Sequence, residues 1–301
     1  KLYKCKNKYD IIHVHLPDPM AMIALLLIKP KCKIVLHWHG DVDFDKYSKM
    51  KYLYKILETK VIKLSNQIIF PTTIHLTESH VYNLIEDKAN VITYPFNTRD
   101  LLSLKIDNDI VEGYKAMDKK IIFSLGRLIY YKGFDYLIEA ANDLPNNYLI
   151  LIGGIGELED SFKRKIEELN LSSKVHLLGK VPSDLLATYY SLSDIYCFPS
   201  ISRGEMFGIV QLEAMLFGKP IVATKIKGSG VCEVNIHNET GLCVDIKNSK
   251  QLADAMMKIC EHDSYYDKLS NNAISRVVDI FGRDKVIPQY IEFYQNLLEN
   301  E

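Results

Sequence analysis

Lys120-Ile121-Ile122-Phe123-Ser124-Leu125-Gly126-Arg127-Leu128-Ile129-Tyr130-Tyr131-Lys132-Gly133-Phe134 is the stretch whose reading decides the fold. A short apolar run ends in Gly126, and a helical pattern comes next over 133–143, closed by Pro145. Toward the C-terminus, strands are predicted at 148–152, 174–178, 194–198, 220–223 and near 242–244. Helices are predicted between them at 157–169, 183–191, 208–217, 249–262 and 264–280. Toward the N-terminus, strands fall at 10–14, 33–37, 67–71 and 90–93, with helices at 19–28, 46–64 and 77–86. Short β-branched runs alternating with amphipathic stretches are the pattern of parallel sheets wrapped by helices. The fold class is therefore α/β, with two Rossmann-like domains facing across a cleft. Domains are expected at 1–117 and 118–283, split in the polar segment 98–120, with 284–301 a helix crossing back to the first. In such sheets ligands bind beyond the carboxyl ends of the strands, so motifs there carry the most weight.

Four segments qualify. In Arg203-Gly204-Glu205-Met206-Phe207-Gly208-Ile209-Val210-Gln211-Leu212-Glu213 two glutamates stand eight apart with Gly208 between them. With Gly208 opening a helix, Glu205 lies in the loop and Glu213 about one turn in. The amides of Phe207, Gly208 and Ile209 are then placed to bind an anion such as a diphosphate. The plainer alternative is a capped amphipathic helix with one exposed and one salt-bridged glutamate. Arg127 and Lys132 set two cations at the mouth of the same sheet, able to stabilise a departing nucleoside diphosphate without a metal; ordinary surface charges are the alternative. Gly153-Gly154-Ile155-Gly156 lacks the spacing of a dinucleotide fingerprint. In Leu36-His37-Trp38-His39-Gly40-Asp41, two histidines at i and i+2 could hold zinc, but no third ligand is evident and no metal is expected. A single catalytic or phosphate-contacting histidine is preferred there, while His13 and His15 read equally as satisfied core histidines.

The bulk properties bound the rest. The chain has 301 residues and net charge −1, which gives no nucleic-acid signature. Residues 1–63 carry 13 lysines and no arginine against 6 acids. That basic third fits either an anionic membrane surface or a solvated lysine-rich face. Cys5, Cys32, Cys197, Cys232, Cys243 and Cys260 form no CxxC pair and read as free thiols of a reducing, cytoplasmic compartment. The longest apolar run, Met20–Ile28, is far shorter than the roughly 20 residues a membrane-spanning helix needs.

Together these segments resemble glycosyltransferase family 4, the group 1 retaining transferases of the GT-B fold. The resemblance runs almost unbroken from Lys120 to Asp245, through Phe123–Arg127, Tyr131–Phe134, Leu178–Val181, Ser193–Ser200, the paired glutamates, Phe217–Thr224 and Thr240–Leu242. His13–Pro19 and Val35–Asp41 resemble, more loosely, the acceptor domain of transferases that build bacterial capsule, exopolysaccharide or O-antigen. The resemblance implies that Arg127 and Lys132 hold the donor diphosphate, Glu213 the ribose and Glu205 the transferred sugar. Phe207, Gly208 and Ile209 would contribute backbone contacts, Val181 would lie against the base, and His39 would sit near the reacting centre. It also implies a UDP- or GDP-sugar donor, a glycan or lipid-linked glycan acceptor, and retention at the anomeric carbon. No further cofactor and no metal are implied. The family opens with a strand and glycine-rich loop that do not precede Lys1. Roughly 60 to 70 residues of an ordinary βαβ start are thus expected to be absent, leaving the chain weakly active or inactive. Two rival readings are a non-catalytic scaffold of the same architecture and a UDP-sugar 2-epimerase.

Overall fold

The structure, a computed structural model, describes residues 8–42 and 48–299; Cys5 lies outside them. The chain divides into two compact units, Lys1–Tyr94 with Val286–Glu301, and Pro95–Lys285.

In the first unit four parallel strands, β1 (Ile11–Leu16), β2 (Lys33–Trp38), β3 (Gln67–Phe70) and β4 (Ala89–Val91), run in the order β1-β2-β3-β4. The helix Pro19–Ile28 starts where predicted because Asp18 caps it, accepting from the amides of Met20 and Ala21 at 2.9 and 3.0 Å, with Pro19 in the first turn. Strand alternation then sorts the side chains. Ile34, Leu36 and Trp38 enter one core with Met22, Leu25, Val61 and Ile62 of the helices Pro19–Ile28 and Ser48–Leu64. Val35 and Ile69 face the other way, onto Val286 and Leu297 of the helix Arg283–Glu299. The expected helix at 77–86 is instead two short ones, Thr73–Thr77 and Tyr82–Ile85. In the turn between them the Ser79 hydroxyl donates to Asp41 at 2.9 Å.

The second unit holds β5 (Lys120–Leu125), β6 (Tyr148–Gly153), β7 (Val175–Gly179), β8 (Ile195–Phe198), β9 (Ile221–Lys225) and β10 (Gly241–Asp245). All pairings are parallel and the order is β7-β6-β5-β8-β9-β10. This is the doubly wound Rossmann order, whose direction reverses between β5 and β8, so the ligand crevice belongs at the carboxyl ends of those two strands. The polar segment 98–120, expected to hold the domain boundary, forms the helices Thr98–Leu102 and Asn108–Lys115. Asp107 caps the second of them, and its own amide donates to Thr188 Oγ1 at 2.9 Å. These bonds tie the segment to the second unit, so the division falls after Tyr94 and after Lys285, whereas the sequence pattern alone places it after 117 and 283. Among the described residues Cys32, Cys197, Cys232, Cys243 and Cys260 are free thiols. No helix there is long and apolar enough to cross a membrane.

Gly133 has φ +70°, and a Cβ on it would fall 2.0 Å from the Pro199 carbonyl oxygen. Gly133→Ala is expected to lower the unfolding free energy by about 3 kcal/mol, from left-handed strain plus displaced backbone. Gly113→Ala, in the helix Asn108–Lys115 with open space around it, should instead be neutral or raise stability by up to about 1 kcal/mol. Urea denaturation of the two variants checks the contrast.

Candidate active site

Three loops at the carboxyl ends of β5, β7 and β8 carry the sequence-predicted donor residues of the second unit. After β5 the chain makes a single helical turn, Tyr130–Lys132, and reverses at Gly133. Arg127 is exposed and its Nη2 donates to Tyr131 Oη at 3.1 Å. The Ile201 amide donates to the Tyr131 carbonyl at 2.8 Å, lashing this loop to the one after β8. Lys132 Nζ then pairs with Glu205 Oε2 across the switch point. Their side chains are 14% and 15% exposed, and the rings of Tyr131 and Phe198 each stand 5.6 Å from the ammonium.

Backbone bonds hold the Glu205 loop. Its amide donates to the Ser202 carbonyl at 3.0 Å, its carbonyl accepts from Ser229 Oγ at 2.6 Å, and the Met206 carbonyl accepts from the Gly230 amide at 2.9 Å. Gly208, at φ +75°, opens the helix Ile209–Leu216 and no side chain caps it. The first-turn amides therefore end in a polar, anion-favouring terminus beside the Lys132–Glu205 pair. One turn in, Glu213 accepts from Tyr190 Oη at 2.6 Å. Burial pushes its carboxyl above the ordinary value, and the Tyr190 hydrogen bond opposes that. Neither glutamate is exposed, so the capped-helix alternative with one solvent-facing glutamate does not describe this loop. Glu213 also borders a cavity of about 360 Å³ lined by Phe96, Asn97, Asp100, Leu101, Leu104, Ser183, Asp184 and Leu186. That is within the size range of small-ligand sites. Val181, just past β7, packs over Gly153, where a Cβ would come within 2.6 Å of its Cγ2.

His39 belongs to the first unit and sits in a row of four imidazoles. Parallel pairing sets His15 beside His37, and alternation puts His13, His15, His37 and His39 on one face. Ring centroids are 4.9 Å apart for His13–His15, 5.2 Å for His15–His37 and 4.3 Å for His37–His39. His39 bonds Tyr94 Oη through Nδ1 at 2.5 Å and His15 Nδ1 through Nε2 at 2.7 Å. Burial, then its neighbour His15, pulls the His39 pKa down to about 4, and burial with like neighbours takes His13 to about 4 and His37 to about 2. All three are neutral near pH 7. Spacing in the sequence pairs His13 with His15 and His37 with His39; the strand register brings the two pairs together.

A second polar knot lies on the opposite face. His80 bonds Asp41 at 3.3 Å and Glu58 at 2.7 Å, and Asp41 accepts from Trp38 Nε1 and Ser79 Oγ at 2.9 Å each. The hydrogen bonds to Asp41 and Glu58 raise the His80 pKa to about 9. A raised pKa stabilises fully below the unfolded value of about 6.5 and is lost as pH climbs through about 9. His80 is about a third exposed, so the loss expected over that window is only about 1 kcal/mol. His13, His37 and His39 are neutral in the fold throughout the window, and the slope their unfolded forms add near pH 6.5 is common to wild type and variant and cancels between them. Thermal melts of wild type and His80→Gln from pH 6.5 to 9 should therefore converge as pH rises.

Sequence reading misses Tyr131, Tyr190 and Tyr94, which hold Arg127, Glu213 and His39. Their partners lie 4, 23 and 55 residues away, and a lone tyrosine has no spacing signature.

Comparison with known proteins identifies the family and the fold. Residues 105–276 match the family model "Glycosyl transferases group 1" and residues 2–99 match "Glycosyltransferase Family 4". An O-antigen chain mannosyltransferase C of Escherichia coli is 26% identical over 299 residues, covering 98% of this chain and 78% of its own. A D-rhamnosyltransferase of Pseudomonas aeruginosa is 27% identical over 272 residues, covering 90% and 70%. Among solved structures, Anabaena HepE in complex with UDP superposes with a TM-score of 0.82 at 20% identity, covering 98% of this chain and 81% of its own, which speaks to the fold. Two Rossmann-like units, one with its charged loops gathered at the β5/β8 switch point and matched over 105–276, make this chain a member of the glycosyl transferases group 1, a GT-B glycosyltransferase.

Proposed function

We propose that the chain transfers a hexose-type sugar from a uridine or guanosine diphosphate sugar to a glycan or lipid-linked glycan, with retention and without a metal, in surface-polysaccharide synthesis. The observation that carries this reading is the Lys132–Glu205 pair spanning the switch point, with Glu213 on the adjoining helix. Glu213 accepts from the ribose hydroxyls, Val181 lies against the base, and Arg127, Lys132 and the amides of Phe207, Gly208 and Ile209 take the diphosphate. Glu205 is then released from Lys132 to hold the sugar. The bond from the anomeric carbon to the phosphate oxygen breaks, and the acceptor oxygen bonds to the same face. The acceptor proton passes to the leaving phosphate, while Lys132 and Arg127 stabilise its charge. His39 is the first-unit residue assigned to the transfer.

The names of the two bacterial relatives support the polysaccharide setting. Met20, Leu27, Met50 and Leu53 on the helices Pro19–Ile28 and Ser48–Leu64 are all more than half exposed beside a lysine-rich sequence, which supports contact with an anionic membrane. The test is incubation with UDP- and GDP-hexoses and a lipid-linked saccharide in EDTA, reading the new linkage by proton NMR. An α-donor giving an α-product at undiminished rate is expected. An inverted product, or a rate abolished by EDTA, would overturn the reading.

A further inference from the structure

The histidine row holds more than the transfer reaction calls for. His13, His15 and His37 each offer a ring nitrogen, and these nitrogens lie within 4.8 Å of one another. His37 is only 4% exposed, and its Nε2 is buried with no hydrogen-bond partner; His13 Nε2 is in the same state. Two such atoms side by side each cost about 1–3 kcal/mol of unrecovered desolvation. A single ligand reaching both would recover it.

The surroundings fit a cation that takes imidazole. Two H-x-H segments on adjacent parallel strands point four rings to one face, so that three imidazole edges border the same space. A tetrahedral ion with bonds of roughly 2.0–2.1 Å holds its nitrogens about 3.3–3.4 Å apart, so the widest pair in the row has to close by up to about 1.4 Å. His13 Nδ1 is held by Tyr294 Oη at 2.5 Å, which orients the ring and leaves Nε2 for a ligand. His15 engages His39 through Nδ1, which leaves its Nε2, and His15 is exposed, so it gives the entry path. Three imidazole nitrogens suit a borderline divalent ion and not a hard, oxygen-seeking one.

We propose that His13, His15 and His37 form a site for a divalent transition ion of the Zn2+ class, with water in the fourth position. The site lies in the first unit, whereas Arg127, Lys132, Glu205 and Glu213 lie in the second, and no step of the transfer is routed through it.

The test uses the metal-stripped full chain titrated with ZnCl2 by calorimetry and with CoCl2 by visible absorption. One ion per chain is expected, with the intense d–d bands of four-coordinate cobalt, no thiolate charge-transfer band, and a higher melting temperature with Zn2+. His15→Gln, at an exposed position that leaves the core intact, should abolish the stoichiometric binding and the cobalt bands. Tyr294→Phe should weaken binding about tenfold. His237→Gln and His262→Gln, at histidines outside the row, should change nothing. Octahedral cobalt spectra, binding that survives His15→Gln, or binding lost in His237→Gln or His262→Gln would overturn the proposal.

Discussion

Lys132→Ala is expected to lower kcat by about 100- to 1,000-fold while changing the donor KM by less than tenfold, because the ammonium acts on charge that develops as the nucleotide leaves. The site is built for that. Lys132 sits 14% exposed between two aromatic rings, so its charge is poorly screened by water. Removing it also strands the Glu205 carboxylate, and breaking a pair this buried destabilises by about 3–5 kcal/mol. The double variant Lys132→Ala/Glu205→Gln removes that penalty. It should melt close to wild type yet keep the full kcat deficit. Recovery of kcat in the double variant would mean that Lys132 serves the fold and not the chemistry.

Glu213→Gln is expected to raise the donor KM about 100-fold with a much smaller change in kcat. Two charge-assisted hydrogen bonds to a ribose diol, each worth about 1.5–3 kcal/mol, bind ground state and transition state alike. The amide keeps the shape and leaves Tyr190 a partner, so stability should hold. Relief of a largely buried carboxylate, whose protonation burial already favours, should if anything raise it. Steady-state kinetics with varied donor separates this pattern from that of Lys132→Ala. A fall in kcat alone, at unchanged KM, would remove Glu213 from the ribose.

Both predictions rest on residues that are legible in the sequence. The run Ile121–Leu125 and the glycines Gly126, Gly133 and Gly208 are local signals, and a parallel sheet places the loops after its strands at the carboxyl edge. Segment 98–120 is harder, because its polarity alone suggests a linker. Asp107 before Asn108 and Asp109 is nonetheless a helix-capping pattern, and the helix it starts packs on the second unit. The histidine row is half legible: spacing pairs His13 with His15 and His37 with His39, but the register that sets His15 against His37 is a property of the sheet. The Asp41–His80–Glu58 knot joins residues 17 to 39 positions apart, and its members carry no motif. Through-space pairing of that kind is set by topology, and only the fold reveals it.

The central claim, that the β5/β8 edge of the second unit binds a nucleoside diphosphate, is tested most directly by titrating UDP and GDP separately into the purified chain by calorimetry, then into Arg127→Ala and Glu213→Ala. The account predicts one site per chain for one of the two nucleotides, lost or weakened at least about 30-fold in each variant. Binding of neither nucleotide to the folded chain, or binding undiminished in both variants, would contradict it.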